Sequence, residues 1–216
     1  MRNWLIAGSI AGLMVAGLGA ATVAQAADSA RPVHNYEVTP FAGYMAGGEF
    51  EDPADSTDRD LDADNNLGLL LNATAGGDYW RHYELLYSTQ STQLDGVTAP
   101  KLDMDVQYLQ IGGTVSNPDA ENVIPYFGLT IGATQLSPDE SGLDDETKFS
   151  FTVGAGVRVP ITDRIGVRFD ARAFVTLLDS DGEIFCVSSG GATCRVRVSS
   201  DTFVQYAAAL GLIIGF

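Results

Sequence analysis

From residue 34 onward, apolar residues recur at every second position rather than every third or fourth. Between Phe149 and Pro160 the odd positions hold Phe149, Phe151, Val153, Ala155, Val157 and Val159, and the even ones hold Ser150, Thr152, Gly154, Gly156 and Arg158. A period of two predicts a strand with one apolar face. The next stretch repeats it: Ile165, Val167, Phe169, Ala171, Ala173, Val175 and Leu177 share one side, and Gly166, Arg168, Asp170, Arg172 and Thr176 the other, with Phe174 an apolar exception. Near the C-terminus Val204, Tyr206, Ala208, Leu210, Leu212, Ile214 and Phe216 alternate with Gln205, Ala207, Ala209, Gly211, Ile213 and Gly215. Residues 67–75, 83–88 and 126–134 alternate less cleanly.

Two further stretches read as strands whose facing the pattern leaves open. In residues 35–47, Pro40 has no N–H for a ladder and is expected at a bulge or a non-pairing position. In residues 104–114, Gly112 and Gly113 suggest a bulge. That makes eight strands. The segments joining them, at about residues 48–65, 76–79, 91–101, 115–122, 135–147, 160–164 and 178–201, alternate long or medium with short. The short ones carry turn residues, as in "GGDY" and "PITDR". The predicted fold is all-β: an eight-stranded antiparallel up-and-down barrel with two unlike ends.

The composition of the two faces decides which one is out. A water-soluble barrel of the lipocalin kind, or a sandwich, would turn its apolar row inward. Here the opposite row carries Glu84, Arg158, Arg168, Asp170 and Arg172. An arginine facing hydrocarbon at mid-bilayer costs about 2–4 kcal/mol, whereas inside the barrel it can pair with an acid. The apolar row is therefore expected to face lipid, making the barrel transmembrane. The interior charges are expected to form a salt-bridge plug. No apolar run beyond the N-terminal region is long enough for a membrane-spanning helix.

The N-terminus has its own logic. Arg2, an apolar stretch from Trp4 to Val23 and Ala24-Gln25-Ala26 have the form of an export signal. This gives a signal peptide over residues 1–26, cleaved after Ala26, and a barrel domain over 27–216. Losing Arg2 leaves 11 basic and 28 acidic residues, a formal charge of −17. Phosphate affinity needs Lys and Arg, so no nucleic acid partner is expected. In an exported chain Cys186 and Cys194, flanking "VSSGGAT", read as a disulfide.

Closing the barrel requires the last strand to pair with both the first and the seventh, since lipid satisfies no open edge. The terminal positions Tyr206, Leu210, Leu212, Ile214 and Phe216 resemble the C-terminal signal by which bacterial outer-membrane barrels are recognised for insertion. With the export signal and eight strands, the chain is similar to the small outer-membrane barrels of the OmpA transmembrane-domain, OmpX and OmpW kind. That resemblance implies residence in the cell outer membrane and contact with its lipid and lipopolysaccharide. It also implies insertion by the barrel-assembly machinery, a monomer, periplasmic termini, and acidic long connections on the outside.

Candidate chemistry is sparse. Asp58, Asp60, Asp62 and Asp64 have the look of a calcium loop, but an EF-hand needs Gly at loop position 6 and Glu at 12. Counted from Asp58 those places hold Ala63 and Leu69, and from Asp60, Asn65 and Leu71. A loose divalent-cation site or a solvated acidic loop remains. Lipid-modifying catalysis at the outer rim would need a histidine beside a serine and an acid. The two histidines, His34 and His82, fall at the other end. His82, with Tyr79, Trp80 and Tyr83, reads as part of an interfacial aromatic girdle. No catalytic residue and no cofactor is expected. Three functions stay open: a non-enzymatic structural or surface-interaction protein, a narrow channel for small or cationic solutes, and an outer-leaflet lipid enzyme.

Overall fold

A computed structural model describes residues 34–52, 57–76, 78–94, 102–139, 144–178, 183–186, 194–197 and 202–216. The expected export signal and its cleavage site lie outside them. The strands are β1 (Tyr36–Gly47), β2 (Glu49–Asp52), β3 (Thr57–Asp60), β4 (Asp64–Ala75), β5 (Asp78–Leu94), β6 (Leu102–Ser116), β7 (Ile124–Pro138), β8 (Glu146–Pro160), β9 (Ile165–Leu177), β10 (Glu183–Cys186), β11 (Cys194–Arg197) and β12 (Thr202–Gly215). Eight of them close into an antiparallel barrel in the order β1-β12-β9-β8-β7-β6-β5-β4. The other four make two ribbons, β2–β3 and β10–β11, inside the first and last long connections, where the sequence suggested only loops.

Closure runs as the alternation required. β12 pairs with β9 and with β1, and Phe216 N–H donates to Tyr36 O at 3.1 Å. Partner to partner, the path Ser116, Tyr126, Gly156, Asp170, Ala209, Gly43, Asn66, Gln90 returns to β6 at Val106, ten residues from its start. A shear of that size tilts the strands steeply, about 35–45° from the axis. The short connections and the start of β1 paired with the chain end, near Tyr36 and Phe216, define a turn end; the two ribbons lie at the opposite, loop end.

The apolar rows face outward. Leu67, Leu109, Ile111, Phe127, Leu129, Ile131, Phe169 and Leu210 are each more than half exposed, whereas Thr130, Thr152, Arg168 and Thr176 are buried. The two unsettled strands have physical explanations. In β1 no bulge forms at Pro40. The register to β12 is unbroken, but the ladder skips Thr39 and Pro40, so the missing N–H meets a gap on that side while Pro40 still stands opposite Leu69 of β4. Pro40 points out; Glu37, Thr39 and Met45 point in. In β6 Gly112 and Gly113 pair in register on both sides, so no bulge occurs there either. A register shift appears instead at Thr74/Ala75.

The facing of β6 was unreadable because its polarity inverts along its length. Toward the turn end Leu109 and Ile111 point out and Gln110 and Thr114 point in. Toward the loop end Asp103 and Asp105 point out, and Met104, Val106 and Tyr108 are fully buried. Neighbouring strands share the switch. Outward Ser91 donates to Asp105 Oδ1 at 2.6 Å, Gln93 to Asp103 Oδ1 at 2.7 Å, and Gln135 to Asp145 Oδ2 at 3.1 Å. Inside this polar collar, Met45, Leu61, Met104, Val106, Leu136, Leu178 and Phe203 form one apolar cluster. The loop-end part of the barrel is thus built like a water-soluble protein, oil inside and polar groups outside. The remainder is built for lipid.

Candidate functional site

The lumen of the lipid-facing part holds four interlocked charges. β9 supplies three of them, because Arg168, Asp170 and Arg172 all fall on its inward face. β5 supplies Glu84, inward between outward Tyr83 and Leu85. Arg168 Nη2 lies 2.9 Å from Glu84 Oε2, and its Nε 2.7 Å from Asp170 Oδ2. Arg172 Nη2 lies 2.9 Å from both Glu84 Oε1 and Asp170 Oδ1. Two cations and two anions cancel, and Arg168 and Glu84 are buried completely at the side-chain level. Charge removed from water is tolerable only with such pairing and hydrogen bonding.

Two neutral groups complete the layer. Asn72 donates to Glu84 Oε2 at 3.1 Å. The Tyr126 hydroxyl donates to Asp170 Oδ1 and accepts from Arg168 Nε at 2.9 Å, while the Arg168 guanidinium also lies over its ring. Tyr126 reaches across because its partner on β8 is Gly156, where an added Cβ would collide with the Tyr126 hydroxyl and with Phe169 O. Neither residue type announces a partner from sequence.

Arg158 stands apart from this cluster. Its Nη1 lies 3.0 Å from Glu37 Oε2, which spans the lumen from β8 to β1. Glu37 could not be assigned from sequence because Pro40 obscured the facing of β1. His82 is buried and faces the lumen, which corrects its assignment to an outward girdle; Tyr83 beside it is 65% exposed. His34, at the turn end, contacts Asp163 O.

Above the ionic layer the lumen is filled by uncharged groups. Gln110 bridges Ser150 and Thr130 at 2.9 and 2.7 Å. Tyr108 donates to Gln205 at 2.7 Å and stacks obliquely on Phe174, centroids 4.4 Å apart. A cavity among Asn66, Leu70, Asp170, Arg172 and Phe174 offers only about 10 Å³, the lower bound for a single water. The apolar cluster closes the lumen beyond.

Tyr206, Leu210, Leu212 and Ile214 lie on the outward row of β12, Phe216 follows directly after its end, and all five are exposed. Asp58 and Asp60 fall on β3, opposite Glu51 and Glu49 of β2, and their side chains lie outside the described residues. Asp64 Oδ1 accepts from Asn65 N–H at 2.6 Å, and Thr92 donates to the Asp62 carbonyl. Among the described residues no three His, Cys, Asp or Glu side chains converge as metal ligands. The backbones of Cys186 and Cys194 stand directly opposite each other in the β10–β11 ladder.

A closed barrel with an apolar belt outside and ion pairs inside defines a transmembrane β-barrel protein. A profile of the outer membrane protein beta-barrel domain matches residues 13–190, and the chain belongs to that family and resides in the outer membrane. Among solved structures, Neisserial surface protein A is 14% identical, with 84% of this chain and 97% of that one covered at a TM-score of 0.55. OprG from Pseudomonas aeruginosa is 12% identical, with 87% and 99% covered at 0.54. AlkL, solved in lipid bilayers, is 14% identical, with 88% and 94% covered at 0.51. At these identities the likeness is one of fold. A search of curated protein sequences finds no match.

Proposed function

We propose that this chain is a non-enzymatic, non-conducting barrel. Its transmembrane part is an anchor, and its working surface is the loop end, turned outward from the cell. One observation carries this reading: the lumen is filled at two separate levels, by the ionic layer of Arg168, Glu84, Asp170 and Arg172 and by the apolar cluster around Met104 and Phe203. Ions moving along the axis would have to break both. The collar and the two ribbons are then the parts free to meet lipopolysaccharide, divalent cations or another surface. In planar bilayers the protein is expected to give no resolved single-channel steps. Steady steps that vanish when Arg168 or Arg172 is changed would replace this reading with the narrow channel. Lipid A whose mass changes on overexpression would replace it with the enzyme.

The reading includes a bridge between Cys186 and Cys194. Facing residues of an antiparallel pair have Cα atoms about 4.5–5.5 Å apart, within the usual range for disulfides. Closing so short a loop contributes about 2–3 kcal/mol in the chain-entropy view. Folded protein purified without reductant is expected to resist maleimide labelling at both positions and to take two labels after reduction. Labelling of both without reduction would remove the bridge.

A further inference from the structure

One group of lumen side chains is not accounted for by the ionic layer. Arg158 Nε and Nη2, His82 Nδ1, Ser116 Oγ, Thr114 Oγ1 and Thr39 Oγ1 are all buried without a hydrogen-bond partner. These residues are each more than nine-tenths buried. Native proteins rarely leave such groups alone, because each bare donor or acceptor costs the hydration it lost.

These six are not scattered; the other such atom among the described residues, Thr152 Oγ1, lies six residues from Arg158 toward the loop end of β8. With a shear of ten residues over eight strands, positions at one axial level step by about one and a quarter residues along each successive strand relative to the cross-strand partners. By that rule Ser116, Arg158, Glu37 and His82 share a cross-section at the turn end, and Thr114 and Thr39 lie about two residues above it. The register agrees directly where strands adjoin: His82 is the cross-strand partner of Thr114, and Ser116 that of Tyr126, whose ring lies 5.5 Å from the Arg158 guanidinium.

The chemistry of the set is one-sided. The two open arginine nitrogens can only donate, the three hydroxyls can donate, and the imidazole nitrogen can do so in one tautomer or when protonated. Among the described residues no obligate acceptor is left open. Arg158 and Arg168 are cross-strand partners; among the described residues the acid at this level is Glu37, which meets Arg158 through Nη1 and leaves Nε and Nη2 open. Glu84 and Asp170 stand further toward the loop end and are shared with Arg172.

We propose that this turn-end floor of the lumen binds a small monovalent anion of halide or formate size, held chiefly by Arg158 Nε and Nη2 with Ser116, Thr114 and His82 around it. Charge-assisted donation to an anion satisfies these groups better than neutral water does. The probe is sodium bromide. Folded protein in lipid nanodiscs is titrated with bromide against gluconate at constant ionic strength, reading the thermal unfolding midpoint. Crystals soaked in bromide are read for anomalous scattering.

The expected result is a saturable rise in the midpoint with bromide, and an anomalous peak within hydrogen-bond reach of Arg158. Arg158→Gln/Glu37→Gln, which removes both charges together, is expected to weaken bromide binding at least about tenfold and to erase the peak. If that variant does not fold, Ser116→Ala/Thr114→Val leaves every charge in place and is expected to weaken binding several-fold. Equal midpoints in bromide and gluconate, a floor containing only water, or binding unchanged in the variant that folds would overturn the site.

Discussion

Replacing Arg168 by methionine is expected to destabilise the folded barrel by about 3–5 kcal/mol. The side chain is similar in length and apolar, so little packing volume is lost. What changes is the charge: Glu84 and Asp170 keep only Arg172, inside a lumen where Arg168 and Glu84 see no water. Asn72 and Tyr126 also lose a partner. The loss is to be read as a shift of the urea midpoint in lipid vesicles, followed by the mobility difference between boiled and unboiled samples on a gel. Arg168→Met combined with Glu84→Gln is expected to recover part of the deficit, because removing an acid with its cation leaves less uncompensated charge. An Arg168→Met variant within about 1 kcal/mol of the parent would mean that the ionic layer carries little of the stability.

The second large effect concerns the outer surface. Leu129 is 52% exposed, yet it faces lipid near the middle of the apolar belt, between Phe127 and Ile131 on β7. Leu129→Arg is expected to cost about 2–4 kcal/mol by the depth dependence known for barrel walls. Gln107→Arg, outward on β6 beside the Tyr87 hydroxyl, is expected to cost under about 1 kcal/mol, because that position belongs to the collar. Both positions face away from the lumen, so a difference between them reports where hydrocarbon ends. Equal costs would place both in the same medium and remove the boundary between belt and collar.

How much of this was legible in the sequence depends on how uniform each strand is. β8, β9 and β12 keep one polarity over their lipid-facing length, so alternation separated their two rows and the composition of those rows decided which one faces out. β6 was not readable, because Asp103, Asp105 and Gln107 share a face with Leu109 and Ile111, and a period-two pattern that changes sign looks like no pattern. β1 was hidden by Pro40, whose tolerance came from a local gap in one ladder rather than from a bulge. That single ambiguity cost the assignment of Glu37 and so the partner of Arg158. His82 was misread because tyrosines and a tryptophan surround it, although its parity with Glu84 places it inside.

Of the five inward charges expected to form a salt-bridge plug, Glu84, Arg168, Asp170 and Arg172 interlock, whereas Arg158 pairs with Glu37 instead. The neutral members of the interlocked layer were not foreseen, since Asn72 and Tyr126 earn their places through distances that only the closed cylinder creates. The ribbons β2–β3 and β10–β11 escaped notice for a different reason. Acid- and glycine-rich stretches lack apolar alternation, and short ribbons are set by backbone pairing rather than by a buried face.

The orientation of the wall is most directly tested by nitroxide labels placed singly at 129, 131 and 169 and at 107 and 135, in protein reconstituted into bilayers. At the first three, collision with dissolved oxygen is expected to exceed collision with a water-soluble nickel chelate, and at the last two the order is expected to reverse. Water-like accessibility at 129, 131 and 169 would contradict the whole arrangement of oil outside and ions within.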